Sequence, residues 1–519
     1  MPYYYLKRII EYGLYLLVFL LPIQTRWIIR AGENEYLTVS LYGTDVLLIL
    51  LVGLLLVIKF QSAPLADGPA GGADSKSQIK FKIQSHWWFI AGLDLMVFIS
   101  IFFAADKLIA IYRYGLFLLG VGLFWLIISA GYNKMKLIYS LLAGIFLQAC
   151  LAIWQFLTQS DFACKWLGMA LHRAGDLGIS VIETLEGERW LRAYGGLDHP
   201  NVLGGLLVVG LLLFLGLFVT KCDSSIMAKR CGAEARAVDN DLQHGPTVSR
   251  GTAGELWSRQ IPAILRDSGQ IQNIVLLFAF CFLLSALFFT FSRGAWLGLA
   301  VGLLAMFFAT VIKEDLRGQK KLLQIILTSS VLIFILFSQF HDLAMTRLAT
   351  GARLEIKSNV ERMESYKDSW RIIKDNWLFG AGAGNYVKYN ANPRSASPAA
   401  RERRSGLAER SEYTNDNAKP NWYYQPVHNV FLLVWAEIGI IGPLFFIGLL
   451  LCVINRKRSK NLIVRIPLLA AMIAMFLVDH WWWSLHFGVL FFWLALGLLI
   501  SRGESVKQAE NIKFDNGKA

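Results

Sequence analysis

Cysteine is scarce and scattered in this chain. The 519 residues contain Cys150, Cys164, Cys222, Cys231, Cys281 and Cys452, and no two of them have metal-ligand spacing. A zinc module is therefore excluded on spacing, and a disulfide framework has no support. No acidic pair is placed to hold Mg²⁺ or Mn²⁺, so no metal and no cofactor are expected. The glycines at 380–384 imitate a phosphate loop, yet no strand precedes them and no Gly-Lys-Ser/Thr follows; a nucleotide site is a poor reading. No internal repeat is visible. The first apolar run lacks a small-residue cleavage site and is preceded by Tyr3, Tyr4 and Tyr5, so it is not expected to be a cleaved signal peptide.

What the chain has is apolar length. It is 55% hydrophobic with a mean hydropathy of +0.47, too apolar for a soluble domain of this size. A spanning helix takes roughly 20 mostly apolar residues. Twelve runs meet that pattern, near 8–24, 43–59, 87–104, 107–130, 137–157, 200–220, 273–291, 295–312, 321–338, 428–453, 464–482 and 487–501. The expected fold class is an all-α polytopic membrane protein with about 12 transmembrane helices. Residues 1–519 form a single polytopic membrane domain. Lysine and arginine concentrate in alternate loops, for example Lys7, Arg8, Lys134, Lys136, Lys320, Lys321, Arg456 and Lys457, which places both termini in the cytoplasm. The net charge of +14 is mostly this topology signal, and no nucleic-acid partner is expected.

Three polar segments separate the runs. Residues 60–86 and 221–272 read as loose cytoplasmic loops. Residues 340–427 form a large extracytoplasmic loop between spans 9 and 10. This loop contains an expected amphipathic helix, opened by a Ser358/Glu361 capping box. Val360, Met363, Trp370, Ile373 and Trp377 recur on it at helical spacing, so the helix lies on the membrane or on the bundle. Residues 391–420 have the composition of a disordered insertion.

Four groups of candidate residues fall on the extracytoplasmic side. Arg293, in Ser292-Arg293-Gly294, sits in a very tight turn between two spans and points a guanidinium at the membrane face; such charges mark function more often than not. Arg192 precedes Asp198-His199-Pro200-Asn201; its bland alternative is an interface arginine that snorkels. Arg362 accompanies the turn Gly380-Ala381-Gly382-Ala383-Gly384, which is either a close-packing turn or a backbone contact to phosphate or sugar. His428-Asn429 opens the tenth span, with Glu437 further in; His428 is either a cap or a general base. Asp479-His480 beside three tryptophans reads most simply as an aromatic belt. Arg113, inside the fourth span, either snorkels or binds an anionic head group. Converging positive groups suggest an anionic lipid substrate, and arginine suits diphosphate because its planar fork donates two parallel hydrogen bonds.

FSRGAWLGL, then LFGAGAGNY, then HNVFLLVWAEIGIIGPLFF resemble the O-antigen ligase and polysaccharide polymerase family, with residues 190–450 as the ligase-like core. The resemblance implies a multi-pass protein of the bacterial inner membrane. It implies metal-independent transfer of a glycan from undecaprenyl diphosphate to an acceptor hydroxyl of a glycan, lipid or protein, at the outer face of the membrane. It also implies catalytic roles for His428, Arg293 and Arg192 and a matching loop-helix arginine in Arg362. The residues themselves add Gly380, Gly382, Gly384, Asn429 and Glu437 as candidate substrate contacts, and Glu437 and His480 stand next in line as base. Membrane lipids are the remaining partners. The competing class is a transporter or flippase of lipid-linked or anionic solutes, which would place its charges near the midplane between repeated halves.

Overall fold

The computed structural model describes residues 2–61, 85–184, 186–219, 276–348, 353–391, 424–454 and 462–501. Most of the expected loop 60–86, all of loop 221–272 and residues 392–420 of the expected insertion lie outside them. The described chain is mostly helical.

Helices α1 (Pro2–Leu20), α2 (Gly43–Gln61), α3 (Ser85–Phe103), α4 (Lys107–Ser129) and α5 (Lys134–Thr158) form the first half of the bundle. Helices α6 (Pro200–Val219) and α7 (Leu276–Phe289) follow, then α8 (Arg293–Ile312) and α9 (Leu316–Gln339). Among the described residues seven helices are long and apolar enough to cross a membrane: α2 to α6, α8 and the greater part of α9. α1, of 19 residues, is mixed, with Lys7, Arg8 and Glu11 in its first half. The expectation of about twelve spans thus rests in part on shorter helices. α6 is central, with 83% of its apolar window buried, whereas α9 is peripheral at 17%. Leu203, Leu206, Leu207, Leu211 and Leu212 of α6 are fully enclosed.

The tenth expected span is broken. It consists of α13 (Val430–Ile438) and α14 (Ile441–Ile454), split at Gly439, whose φ is +78°. A Cβ on Gly439 would lie 1.9 Å from the Leu378 carbonyl oxygen, so only glycine admits the chain that packs there. The eleventh run also differs from expectation. Its helix α15 (Leu462–Phe476) stops before residue 477, and residues 477–480 turn back into the bundle ahead of the single turn α16 (Trp481–Ser484) and helix α17 (His486–Ile500). α8 packs along α15, α4 along α17, and α3 along α14.

Among the described residues the short strands and the helices of the long outer loop gather at one end of this bundle. Strands β1 (Arg26–Arg30) and β2 (Val39–Tyr42) pair antiparallel, as do β3 (Val181–Glu183) and β4 (Arg189–Leu191). Helices α10 (His341–Leu348), α11 (Arg353–Asp375) and α12 (Tyr386–Ala391) lie at the same end. α11 starts five residues before the expected capping box, so Ser358 is inside the helix and caps nothing. The earlier start follows from Glu355, which is held by two arginines and draws the first turn into the fold. Its apolar residues also divide. Val360, Met363 and Trp370 face outward, whereas Ile373 joins Ile372 in the core; the helix ends at Asp375, so Trp377, also exposed, lies in the turn beyond it.

Candidate active site

The site is assembled around the turn between α7 and α8. The last carbonyls of a helix have no partner within it, and here protein groups satisfy three in succession. Ala193 N–H donates to the Phe289 oxygen (3.1 Å). Arg192 Nε donates to the Thr290 oxygen (2.8 Å) and Arg347 Nε to the Phe291 oxygen (3.0 Å). Phe291 itself is left-handed, with φ +46°. Ser292 then caps α8 by accepting from the Ala295 N–H. Arg293 does not point at the membrane face. Its NH2 pairs with Glu355 Oε2 at 3.0 Å, and the other oxygen of Glu355 pairs with Arg347 NH1. Two arginines on one buried carboxylate leave a net positive cluster beside the turn.

Arg192 is buried and held on three sides. Besides Thr290, its NH1 donates to Ser180 Oγ (2.6 Å) and its NH2 to Asn201 Oδ1 (2.9 Å). Asn201 passes the link on, donating Nδ2 to Asp479 Oδ2 at 2.8 Å, and Asp479 Oδ1 accepts the His480 N–H at 2.8 Å. His480 Nδ1 lies 2.7 Å from Ser484 Oγ, and its ring meets His428 edge to face with centroids 5.0 Å apart. A chain of hydrogen bonds, closed by one ring contact, therefore runs from the α7–α8 turn to His428. Asp479-His480 is no aromatic belt: both residues are buried, because the returning segment places them beneath the cavity.

Two chambers meet at His428. The first, of about 360 Å³, is lined by Arg189, Arg192, Arg347, Arg353, Arg362 and Lys357 against Glu355, Glu361, Glu364 and Asp368. The second, of about 460 Å³, is lined by Glu35, Tyr36, His172, Tyr194, Asp198, Asp479, His480 and Trp481, among others. Gly178, Ile179, His199, Asn201, Gln425 and His428 belong to both. Both volumes fall in the range of roughly 300–1,000 Å³ usual for small-molecule sites. Arg362 Nε and His428 Nδ1 are buried without a hydrogen-bond partner among the described residues. Orphaned buried donors and acceptors are costly, and both residues line the first chamber. Burial, the neighbouring His480 and the Arg362 charge push the His428 imidazole down to about 3, partly offset by Asp479. Burial likewise brings His480 down to about 4 and His199 to about 3. His199 Nδ1 accepts the Asn201 N–H at 3.1 Å, which requires that nitrogen to be unprotonated.

Residues 278–447 match the O-antigen ligase family model. This segment runs from α7 to the first turns of α14, so it includes the arginine-clamped turn, Arg347, Glu355, Arg362, the glycine turn and His428. It accounts for the resemblance read in the sequence over that stretch. A search of curated proteins returns no match to the chain. The O-antigen ligase segment sits in a multi-pass membrane protein and supports an O-antigen ligase type of function in polysaccharide biosynthesis.

The residues singled out in the sequence separate into two groups. His428, Arg192 and Arg362 come together on the first chamber, with Arg293 one ion pair behind its wall. Asn429 does not face it: the side chain caps α13 through the Leu432 N–H and donates to the Leu477 oxygen. Gly380, Gly382 and Gly384 line neither chamber. Their φ values are +74°, +97° and +71°, and Ala381 and Gly382 N–H groups donate to the Ala436 and Glu437 oxygens. The turn fills the break in the tenth span, which is the packing alternative. Glu437 lies with it, buried and accepting from Trp483 Nε1 at 2.9 Å. Arg113 turns inward, its guanidinium donating to the Ser484 and Tyr36 carbonyls. Sequence reasoning missed Arg347 and Glu355. An arginine in a short polar helix and a glutamate eight residues on carry no motif; only their shared ion pair marks them. Among the described residues no cluster of three or more His, Cys, Asp or Glu could hold a metal ion.

Proposed function

We propose that this chain is a glycosyltransferase of the bacterial inner membrane. It transfers a glycan from an undecaprenyl-diphosphate donor to an acceptor hydroxyl at the extracytoplasmic face. The observation that carries the reading is the meeting of an arginine-rich chamber with His428, whose Nδ1 has no hydrogen-bond partner among the described residues; Arg347, Arg353, Arg362 and His428 of that chamber fall within the segment that matches O-antigen ligase. Arg362 and Arg347 contact the donor diphosphate. Arg192 and Arg293 are positioning residues: the first fixes the turn and Asn201, the second holds Glu355 and through it Arg347. The acceptor oxygen attacks the anomeric carbon, its proton passes to the His428 imidazole, and the bond from that carbon to the diphosphate oxygen breaks. The leaving lipid diphosphate keeps the electron pair, and its growing charge is stabilised by the arginines.

The outward apolar face of α11 supports a lipid-linked donor. Val360, Met363 and Trp370 are exposed on one side of this helix while Arg362, Ser365 and Asp368 line the chamber on the other, so α11 stands between lipid and site. The test is donor consumption by the purified protein in detergent with candidate acceptors, followed by mass analysis. A transporter would leave the donor intact under these conditions.

A further inference from the structure

The two chambers differ in charge, and the difference assigns them different ligands. The first is lined by five arginines and a lysine; the second, among the described residues, by no arginine or lysine at all. Its acidic lining is Glu33, Glu35, Asp198 and Asp479; burial, and for Glu35 the neighbouring Asp198 as well, pushes Glu35 up to about 7 and Asp198 above its ordinary value. Arg26 stands behind Glu35 and Asp198, engaged with the Tyr42 hydroxyl at 3.1 Å, and does not line the space. A second diphosphate or an anionic sugar would find no arginine or lysine there and would face four carboxyl groups.

The rest of the wall is aromatic and rigidly held. Tyr194 and His172 stack with centroids 4.0 Å apart. His172 Nδ1 is fixed by Asp161 at 2.6 Å, and the Tyr194 hydroxyl accepts the Ser180 N–H at 2.6 Å. Tyr36 lies edge-on to His480 at 5.6 Å, and Trp481 is stacked on Trp482 at 4.2 Å. Flat apolar rings with polar edges, interleaved with carboxylates, suit a polyhydroxylated ring: C–H faces pack on the aromatics and hydroxyls donate to the acids. The chamber opens onto His428 and His480 together, so a bound sugar presents a hydroxyl to the histidine that the first chamber also reaches.

We propose that the chamber bounded by Glu35, Tyr36, His172, Tyr194, Asp198 and Trp481 is the acceptor subsite, and that it takes an uncharged or amine-bearing saccharide and rejects an anionic one. The proposal rests on the glycosyltransferase reading for the word acceptor, but its selectivity is a property of the chamber alone.

The experiment measures binding of three methyl glycosides to the full-length protein in nanodiscs by saturation-transfer NMR: N-acetylglucosamine, glucosamine and glucuronic acid. Inorganic pyrophosphate binding is measured in parallel. Saturation transfer to the first two and none to the glucuronide is expected. Glu35→Lys should reverse the order, favouring the glucuronide over glucosamine by about tenfold or more, while pyrophosphate still binds in the other chamber. Glu35→Gln gives the same test with a smaller shift if the lysine variant does not fold. Equal transfer to all three sugars, a wild-type preference for the glucuronide, or an unchanged order in a Glu35 variant that still binds pyrophosphate overturns the proposal. A wild type that neither binds pyrophosphate nor consumes donor sinks the glycosyltransferase reading instead, and the sugar order still decides the chamber.

Discussion

His428 and His480 meet edge to face, 5.0 Å between ring centroids, at the junction of the two chambers. Both imidazoles are held neutral, at about 3 and about 4, first of all by burial. The sign of the consequence for stability is fixed. A histidine whose folded-state pKa lies below its unfolded value of about 6.5 binds fewer protons folded than unfolded, so stability falls as pH drops from about 6.5 towards 3. The melting temperature of wild type should decline over that range. His480→Gln removes one of these groups, so the gap between wild type and variant should narrow as pH falls. A gap independent of pH would show that His480 is not buried neutral.

Glu355 separates two arginines, Arg293 and Arg347, and is itself buried. Removing the charge of one partner in a buried ionic cluster costs about 3–5 kcal/mol. Glu355→Gln is expected to destabilise by about that amount, to free Arg347 from its anchor and to reduce donor turnover. Arg293→Lys preserves the pair with Glu355 and should be milder than Arg293→Ala. Melting curves and donor-consumption rates of the three variants check the order.

How much of this was legible in the sequence depends on the kind of residue. Apolar length is a local property, so α2 to α8 lie close to where their runs put them. Breaks within apolar runs are set by partners distant in sequence. Nothing between residues 428 and 453 announces that the glycine turn at 380–384 will enter at Gly439, and nothing in 464–482 announces that the chain will turn back after Phe476. The site divides in the same way. His428 and Arg362 were visible as polar residues beside apolar runs, and so were Asp198 and His480, whereas Glu35 and His172, which join them in the second chamber, carry no motif.

The glycine turn makes a prediction of its own. Gly439 has φ +78° and Gly380 has φ +74°, and a Cβ on either would lie within about 2.2 Å of backbone atoms. Alanine at either position meets both strain and overlap, so each should cost more than about 1 kcal/mol. Gly384→Ala meets the side chain of Arg113 instead, which clamps the Tyr36 and Ser484 carbonyls, and should therefore disturb the second chamber. The expected signature is a raised acceptor KM with pyrophosphate binding intact.

The pH dependence of catalysis should differ between free and donor-bound protein. In the free protein the charge of Arg362 helps to hold His428 at about 3, after burial and His480. A diphosphate seated on Arg362 brings negative charge into the same space and favours the imidazolium, so the His428 pKa rises on binding. The profile of kcat/KM reports the free enzyme and that of kcat the bound complex. The acid limb assigned to His428 should thus be absent from kcat/KM above about pH 4 and should enter kcat at higher pH. His428→Ala should lose the rate, by about 10²–10⁴-fold for a general base, and with it the acid limb of kcat, while pyrophosphate binding persists. Arg362→Gln removes the coupling partner, so the His428 pKa of the free protein should move up and the two profiles should converge. An acid limb at the same pH in kcat and kcat/KM of wild type, or one that survives in the residual activity of His428→Ala, would assign the proton transfer to another group.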